Sequence, residues 1–123
     1  MDKIAKGLRF LVVEDEMMVL LMIEDMLADL GCEVAASAAT AQQALGLIAS
    51  QSFDGALLDM NLSGETSEAV AKALVAHGTP FIFCTGGDVL DAAPEFHDHP
   101  CLRKPFSYEE LADKLGELHL QPH

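Results

Sequence analysis

The chain has 123 residues, half of them hydrophobic, with seven Lys and Arg against 20 Asp and Glu and a net charge of −13. The length predicts one domain, and the charge argues against nucleic-acid or membrane-surface binding, both of which need basic patches. Three cysteines without metal spacing read as reduced thiols of a cytoplasmic protein, no apolar segment of signal-peptide type follows the charged Met1 to Gly7, and the longest apolar run, Met17 to Ile23, is far too short to span a bilayer.

In chain order, Leu8 to Val13 is apolar except for Arg9 and predicts a buried strand. Glu16 to Leu30 predicts a helix closed by Gly31 at the C′ position. Val34 to Ala36 is a weak second strand. Thr40 is placed to cap a helix running through Ala49. Phe53 to Leu58 is the third strand, and Asn61 to Gly64 reads as loop. Glu65 to Ala76 predicts a helix ending near Gly78. Pro80 to Cys84 is the fourth strand and Cys101 to Arg103 a short fifth. Ser107 caps a last helix, with Glu109 and Glu110 in its first turn, where the helix dipole favours acids. That helix runs to about Leu118.

Strand and helix alternate along the chain with short connections. The fold class expected is therefore α/β, a doubly wound five-stranded parallel sheet covered by helices on both faces. Because the sequence stops within a turn of the last helix, the expectation is one domain over 1–123 with no output domain. Gly86 to Pro100 is the exception to the regular pattern. It leaves room for a helix only over Val89 to Phe96, roughly two turns. Two turns are marginal without strong packing, so helix 4 is expected to be short or mobile.

Helix 1 carries Leu20, Ile23, Leu27 and Leu30 at core-facing spacing. Met17, Met18, Met22 and Met26 cannot then all be core, and flexible methionines suit a surface that repacks against a partner. His97 and His99 near Cys101 lack a complete ligand set for a metal and read as exposed loop residues. Cys84 reads as a small buried hydrophobe.

The strand ends carry the chemistry. Strand one ends in Glu14-Asp15, strand three in Asp59, strand four in Thr85, and strand five leads into Arg103-Lys104-Pro105. Singly these are a helix cap, a turn residue and a surface lysine. In a parallel sheet they meet at the carboxyl edge, where open α/β sheets bind ligands. Three carboxylates held together ask for a cation, and all-oxygen ligands suit Mg2+. A hydroxyl and an ammonium suit an anion. A dinucleotide site or a Walker loop would need a glycine-rich turn after strand one, where this chain places acids.

These residues, Leu11-Val-Val-Glu-Asp-Glu16, Leu57-Leu-Asp-Met-Asn-Leu62, Thr85 and Lys104-Pro-Phe106, resemble the receiver domain of two-component response regulators over nearly the whole chain. The resemblance implies the flavodoxin-like strand order 2-1-3-4-5. It implies Asp59 as phosphoacceptor, taking a phosphoryl group from a kinase phosphohistidine as a carboxylate nucleophile. It implies Mg2+, replaceable by Mn2+, on Asp15, Asp59 and the backbone carbonyl of Asn61, with Glu14 acting through a metal-bound water. Thr85 and Lys104 would hold phosphoryl oxygens, and the Lys104-Pro105 bond would be cis. The implied partners are a sensor histidine kinase docking on helix 1 and a downstream protein, the chain itself being a monomer or weak dimer.

Three departures stand out. Cys101 occupies the place of the family's switch aromatic, the Thr85 to Lys104 span is short, and Ser63-Gly64 replaces the usual Pro-Gly. With Pro80-Phe-Ile-Phe-Cys-Thr-Gly-Gly87, they resemble the stand-alone FATGUY receivers of alphaproteobacteria, whose kinases are often of the HWE or a related class. Two other readings compete. One is a pseudo-receiver that binds partners without phosphorylation. The other is a haloacid-dehalogenase-type phosphohydrolase, which wants an acid where this chain has Asn61.

Overall fold

A computed structural model describes residues 7–62, 65–86 and 94–118. Five parallel strands form the sheet: β1 (Arg9–Val13), β2 (Glu33–Ala38), β3 (Gly55–Asp59), β6 (Phe81–Thr85) and β7 (Cys101–Arg103). A short antiparallel pair, β4 (Asn61–Leu62) and β5 (Glu65–Thr66), lies between β3 and the third helix. Around the sheet pack α1 (Met17–Asp29), α2 (Ala41–Ser50), α3 (Glu68–Ala76) and α4 (Tyr108–Glu117). The strand order is β2-β1-β3-β6-β7, which is 2-1-3-4-5 for the parallel strands.

Alternation within the central strands explains the two cores. Phe10, Val12, Leu57, Ile82 and Leu102 face Ile23 and Leu27 of α1 and Leu111 and Leu115 of α4. Leu11, Val13, Leu58, Phe81 and Phe83 face Ala44 and Ile48 of α2 and Val70 and Leu74 of α3. Strands covered on both faces are apolar along most of their length, so β3 and β6 are buried throughout and turn polar only at their last residues, Asp59 and Thr85. Burying one such Leu or Phe contributes about 2 kcal/mol.

The helix ends follow local chemistry. Thr40 Oγ1 accepts the Gln43 N–H at 3.1 Å. Ser107 and Glu110 form a reciprocal capping box at the start of α4, with bonds of 3.1 and 2.8 Å. Gly31 (φ 87°) and Gly78 (φ 70°) end α1 and α3 in left-handed conformations, each with the next N–H returning to the carbonyl of Leu27 or Leu74 at 2.9 Å.

Two expectations need correction, and a third falls largely outside the described residues. The second strand is twice the three residues expected. Its side chains at Ala35, Ala36 and Ser37 carry little pattern, but it pairs with β1 from Arg9 to Val13, across a register shift between Phe10 and Leu11. Asn61–Leu62, expected as loop, and Glu65–Thr66, expected to open a helix, instead pair as β4 and β5, with helix beginning at Glu68. Ser67 donates its N–H and its hydroxyl to the Met60 carbonyl at 3.2 and 3.1 Å, and Leu62 is fully buried, so the chain is held extended before α3 starts. The two-turn helix expected over Val89 to Phe96, and the mobility expected around it, fall largely on residues 87–93, outside the described residues; Pro94–Phe96 is a single 3-10 turn.

Among the described residues no helix is long and apolar enough to cross a membrane.

Candidate functional site

Parallel pairing puts every strand's carboxyl end on one edge. Asp59, the last residue of β3, lies in register with Cys84, and Thr85 with Arg103. Glu14 and Asp15 follow β1 directly, and the Glu14 N–H still continues the ladder onto Ala38 at 2.9 Å. The backbone N–H of Lys104 donates to the Thr85 carbonyl at 2.7 Å, which fixes where the lysine leaves the sheet. The Lys104-Pro105 bond is cis, as the resemblance implied.

The three carboxylates come together as the strand ends predict. Glu14, Asp15 and Asp59 each bring an oxygen within 4.8 Å of the others. Glu14 and Asp59 are buried, whereas Asp15 is half-exposed. The cap position of α1 is Glu16, which makes no side-chain capping bond, so Asp15 is not the helix cap that its position alone suggests. Asn61 donates its N–H to Asp59 Oδ1 at 3.2 Å. Thr85 is buried at the same edge.

Lys104 enters from the end of β7, the edge strand beyond β6. Its Nζ lies 2.7 Å from Glu14 Oε1 and 3.1 Å from Asp59 Oδ2. Burial pushes the Glu14 carboxyl above the usual range, against the pull of Lys104. Burial also works to lower the Lys104 pKa, but the hydrogen bond that Lys104 donates to Glu14 and the charges of Asp59 and Glu14 outweigh it and hold the ammonium protonated. One ammonium among three carboxylates leaves an excess of negative charge. The oxygen donors therefore fit a hard divalent cation.

One contact and one cluster were not foreseen. The Glu14–Lys104 pair joins residues 90 apart, and no local pattern announces it. Its one signal is the longer reach of Glu than of Asp. His99, expected on an exposed loop, is half-buried: its ring stacks on Phe81 at 4.0 Å and its Nε2 donates to the Phe81 carbonyl at 2.6 Å. Phe96 closes the cluster edge-on to Phe83 at 5.6 Å. Cys101, which stands in the place of the family's switch aromatic, packs on this same face. Cys84 is buried as expected, and burial raises its thiol far above the ordinary range.

The model of the response regulator receiver domain matches residues 10–116. Among solved structures, SdrG of Sphingomonas melonis Fr1 is similar at 38% identity and a TM-score of 0.81, over 92% of this chain and 96% of that one. The BeF3-activated conformation of SdrG, recorded from Pseudomonas melonis Fr1, is similar at 35% identity and a TM-score of 0.77, over 92% and 97%. PhyR of Brucella abortus matches at 26% identity and a TM-score of 0.79, over 94% of this chain and 48% of its own. No curated protein sequence matches the chain.

Proposed function

The chain belongs to the response regulator receiver family, and from that premise we propose that Asp59 accepts a phosphoryl group from the phosphohistidine of a sensor kinase. The observation that carries this reading is the meeting of three carboxylates and Lys104 at one sheet edge, with Asp59 in contact with the ammonium. An Asp59 carboxylate oxygen attacks phosphorus while the phosphorus–nitrogen bond of the donor breaks. The electron pair leaves with the imidazole, and Asp59 becomes an acyl phosphate. Lys104 and Thr85 then hold phosphoryl oxygens, Lys104 by charge and Thr85 by its hydroxyl. Asp15, Asp59 and the Asn61 carbonyl would hold Mg2+, or Mn2+ in its place, with Glu14 acting through a water. Such an ion neutralises charge on the transferring phosphoryl oxygens.

On this reading the chain is no enzyme for external substrates and catalyses only its own phosphorylation and dephosphorylation. It signals by binding a partner protein or by draining phosphate from a shared kinase. Met17, Met18 and Leu21 are exposed by 65, 80 and 48%, which supports α1 as the surface that meets the kinase. The Pro80 to Gly87 run supports placement among FATGUY receivers, and hence a kinase of the HWE or a related class. Asn61 cannot supply the acid that a phosphohydrolase of the haloacid-dehalogenase type would need.

Acetyl phosphate tests the site. With Mg2+ present, the wild-type chain gains one phosphoryl group by intact mass, and Asp59→Asn gains none. A mutant that is labelled as fully as wild type refutes the assignment of Asp59.

A further inference from the structure

The contacts of Lys104 are unequal. Its Nζ is 2.7 Å from Glu14 Oε1 and 3.1 Å from Asp59 Oδ2. The shorter contact lies in the range of strong charge-assisted bonds. Glu14 is 2% exposed and cannot follow the lysine. Its other oxygen, Oε2, accepts the Glu16 N–H at 3.1 Å, so the carboxylate is clamped between the end of β1 and the start of α1. Moving the ammonium toward a group on Asp59 strips this buried carboxylate of its counter-charge, which is costly.

We infer that Glu14 is a resting counter-ion for Lys104 and competes with the phosphoryl group for it. This rests on the reading of Asp59 as phosphoacceptor. In that role Glu14 is a positioning residue. It lowers the affinity of the site for a phosphoryl group, and by the same contact keeps Lys104 aimed at the pocket between phosphorylation events. The effect is separate from any part Glu14 plays toward a metal, because it runs through the ammonium. A shorter carboxylate keeps the charge of Glu14 and loses the contact; an amide loses the charge and retains the length.

Beryllofluoride, a phosphoryl mimic, is titrated into the full chain at saturating Mg2+, with binding read from the amide resonances of Asn61 and Thr85. Saturating Mg2+ removes differences in metal affinity. Glu14→Asp and Glu14→Gln are each expected to bind the mimic about fivefold more tightly than wild type, the scale of one net hydrogen bond. In a Lys104→Met background neither change should tighten binding further. Unchanged or weaker binding in both variants overturns the inference. So does a gain in Glu14→Gln that persists without Lys104, because that is a general charge effect. Should Glu14→Gln lose its dispersed amide spectrum, Glu14→Asp carries the test unaided. Wild type that binds no beryllofluoride overturns the reading of Asp59 first, and this inference with it.

Discussion

Lys104 shows how one residue can serve both stability and chemistry. Its side chain is 16% exposed and pairs with two carboxylates that are still more buried. Removing it leaves Glu14 without its counter-charge in a buried place. Lys104→Met should therefore cost about 2–3 kcal/mol in urea unfolding at neutral pH, toward the lower end for a broken buried pair because the ammonium still touches water. A loss below about 0.5 kcal/mol would mean that the pair contributes no more than a surface bridge. His99 makes a different prediction at the same scale. A carbonyl only accepts, so Nε2 must carry the proton that bonds Phe81, and the neutral ring stacks within the aromatic cluster. Burial holds its pKa below the usual 6.5, against the hydrogen bond to Phe81. The unfolded chain then takes up a proton before the folded one does. Stability is complete above pH 6.5 and falls as the pH drops from there toward the lowered folded value. His99→Phe keeps an aromatic ring and cannot titrate, so between pH 7.5 and 5.5 its urea midpoint should fall less than that of wild type. Equal falls would show that His99 contributes nothing to the pH dependence.

The elements differ in how openly the sequence declares them, and α4 is the clearest. Ser107 and Glu110 satisfy each other's backbone donors, so Ser107→Ala should lose about 1 kcal/mol by urea unfolding without altering the fold. Such caps, the glycines that end α1 and α3, and the unbroken apolar runs of β1, β3 and β6 are local signals that the tertiary structure reinforces. What stayed illegible has non-local causes. β2 is held by its ladder to β1 rather than by its small side chains. The β4–β5 pair depends on Ser67 reaching back seven residues to Met60. The turn at Pro94–Phe96 is fixed by Phe96 against Phe81 and Phe83, strand residues more than ten positions earlier in the chain. Phe96→Ala should therefore cost about 3 kcal/mol, the scale of a large cavity in a core, although Phe96 lies outside every α-helix and β-strand. A loss under about 1 kcal/mol would show that the turn packs loosely. On α1 the methionines divide as its apolar face requires. Met17 and Met18 are exposed, and Met22 and Met26 are half-buried, Met26 against the core. Changing Met17 and Met18 to Gln should slow phosphotransfer from the cognate kinase while leaving labelling by acetyl phosphate intact; unchanged transfer would remove α1 from the docking surface.

Across the whole molecule, charge and topology meet at one place. The chain carries −13, which opposes compaction through self-repulsion, and the parallel sheet draws three of its acids to a single edge. The carboxylates were legible because strand ends in a parallel sheet must converge; the partner of each was not, because the lysine arrives from a strand formed late in the chain. Two kinds of cation effect should separate here. Sodium chloride screens the general repulsion and should raise the melting temperature gradually, whichever acid is mutated. Mg2+ should add more than sodium chloride of matched ionic strength, because a folded site that binds a ligand gains about 2.7 kcal/mol at a hundredfold excess over its dissociation constant. Asp15 is half-exposed, whereas Glu14 and Asp59 are buried, so Asp15→Asn is the mildest of the three carboxylate changes that test the site. It should keep the response to sodium chloride and lose most of the additional response to Mg2+. If Mg2+ and matched sodium chloride raise wild-type stability equally, the three acids are a solvated cluster and not a metal site, and the charge excess at the sheet edge must be relieved by Lys104 and water.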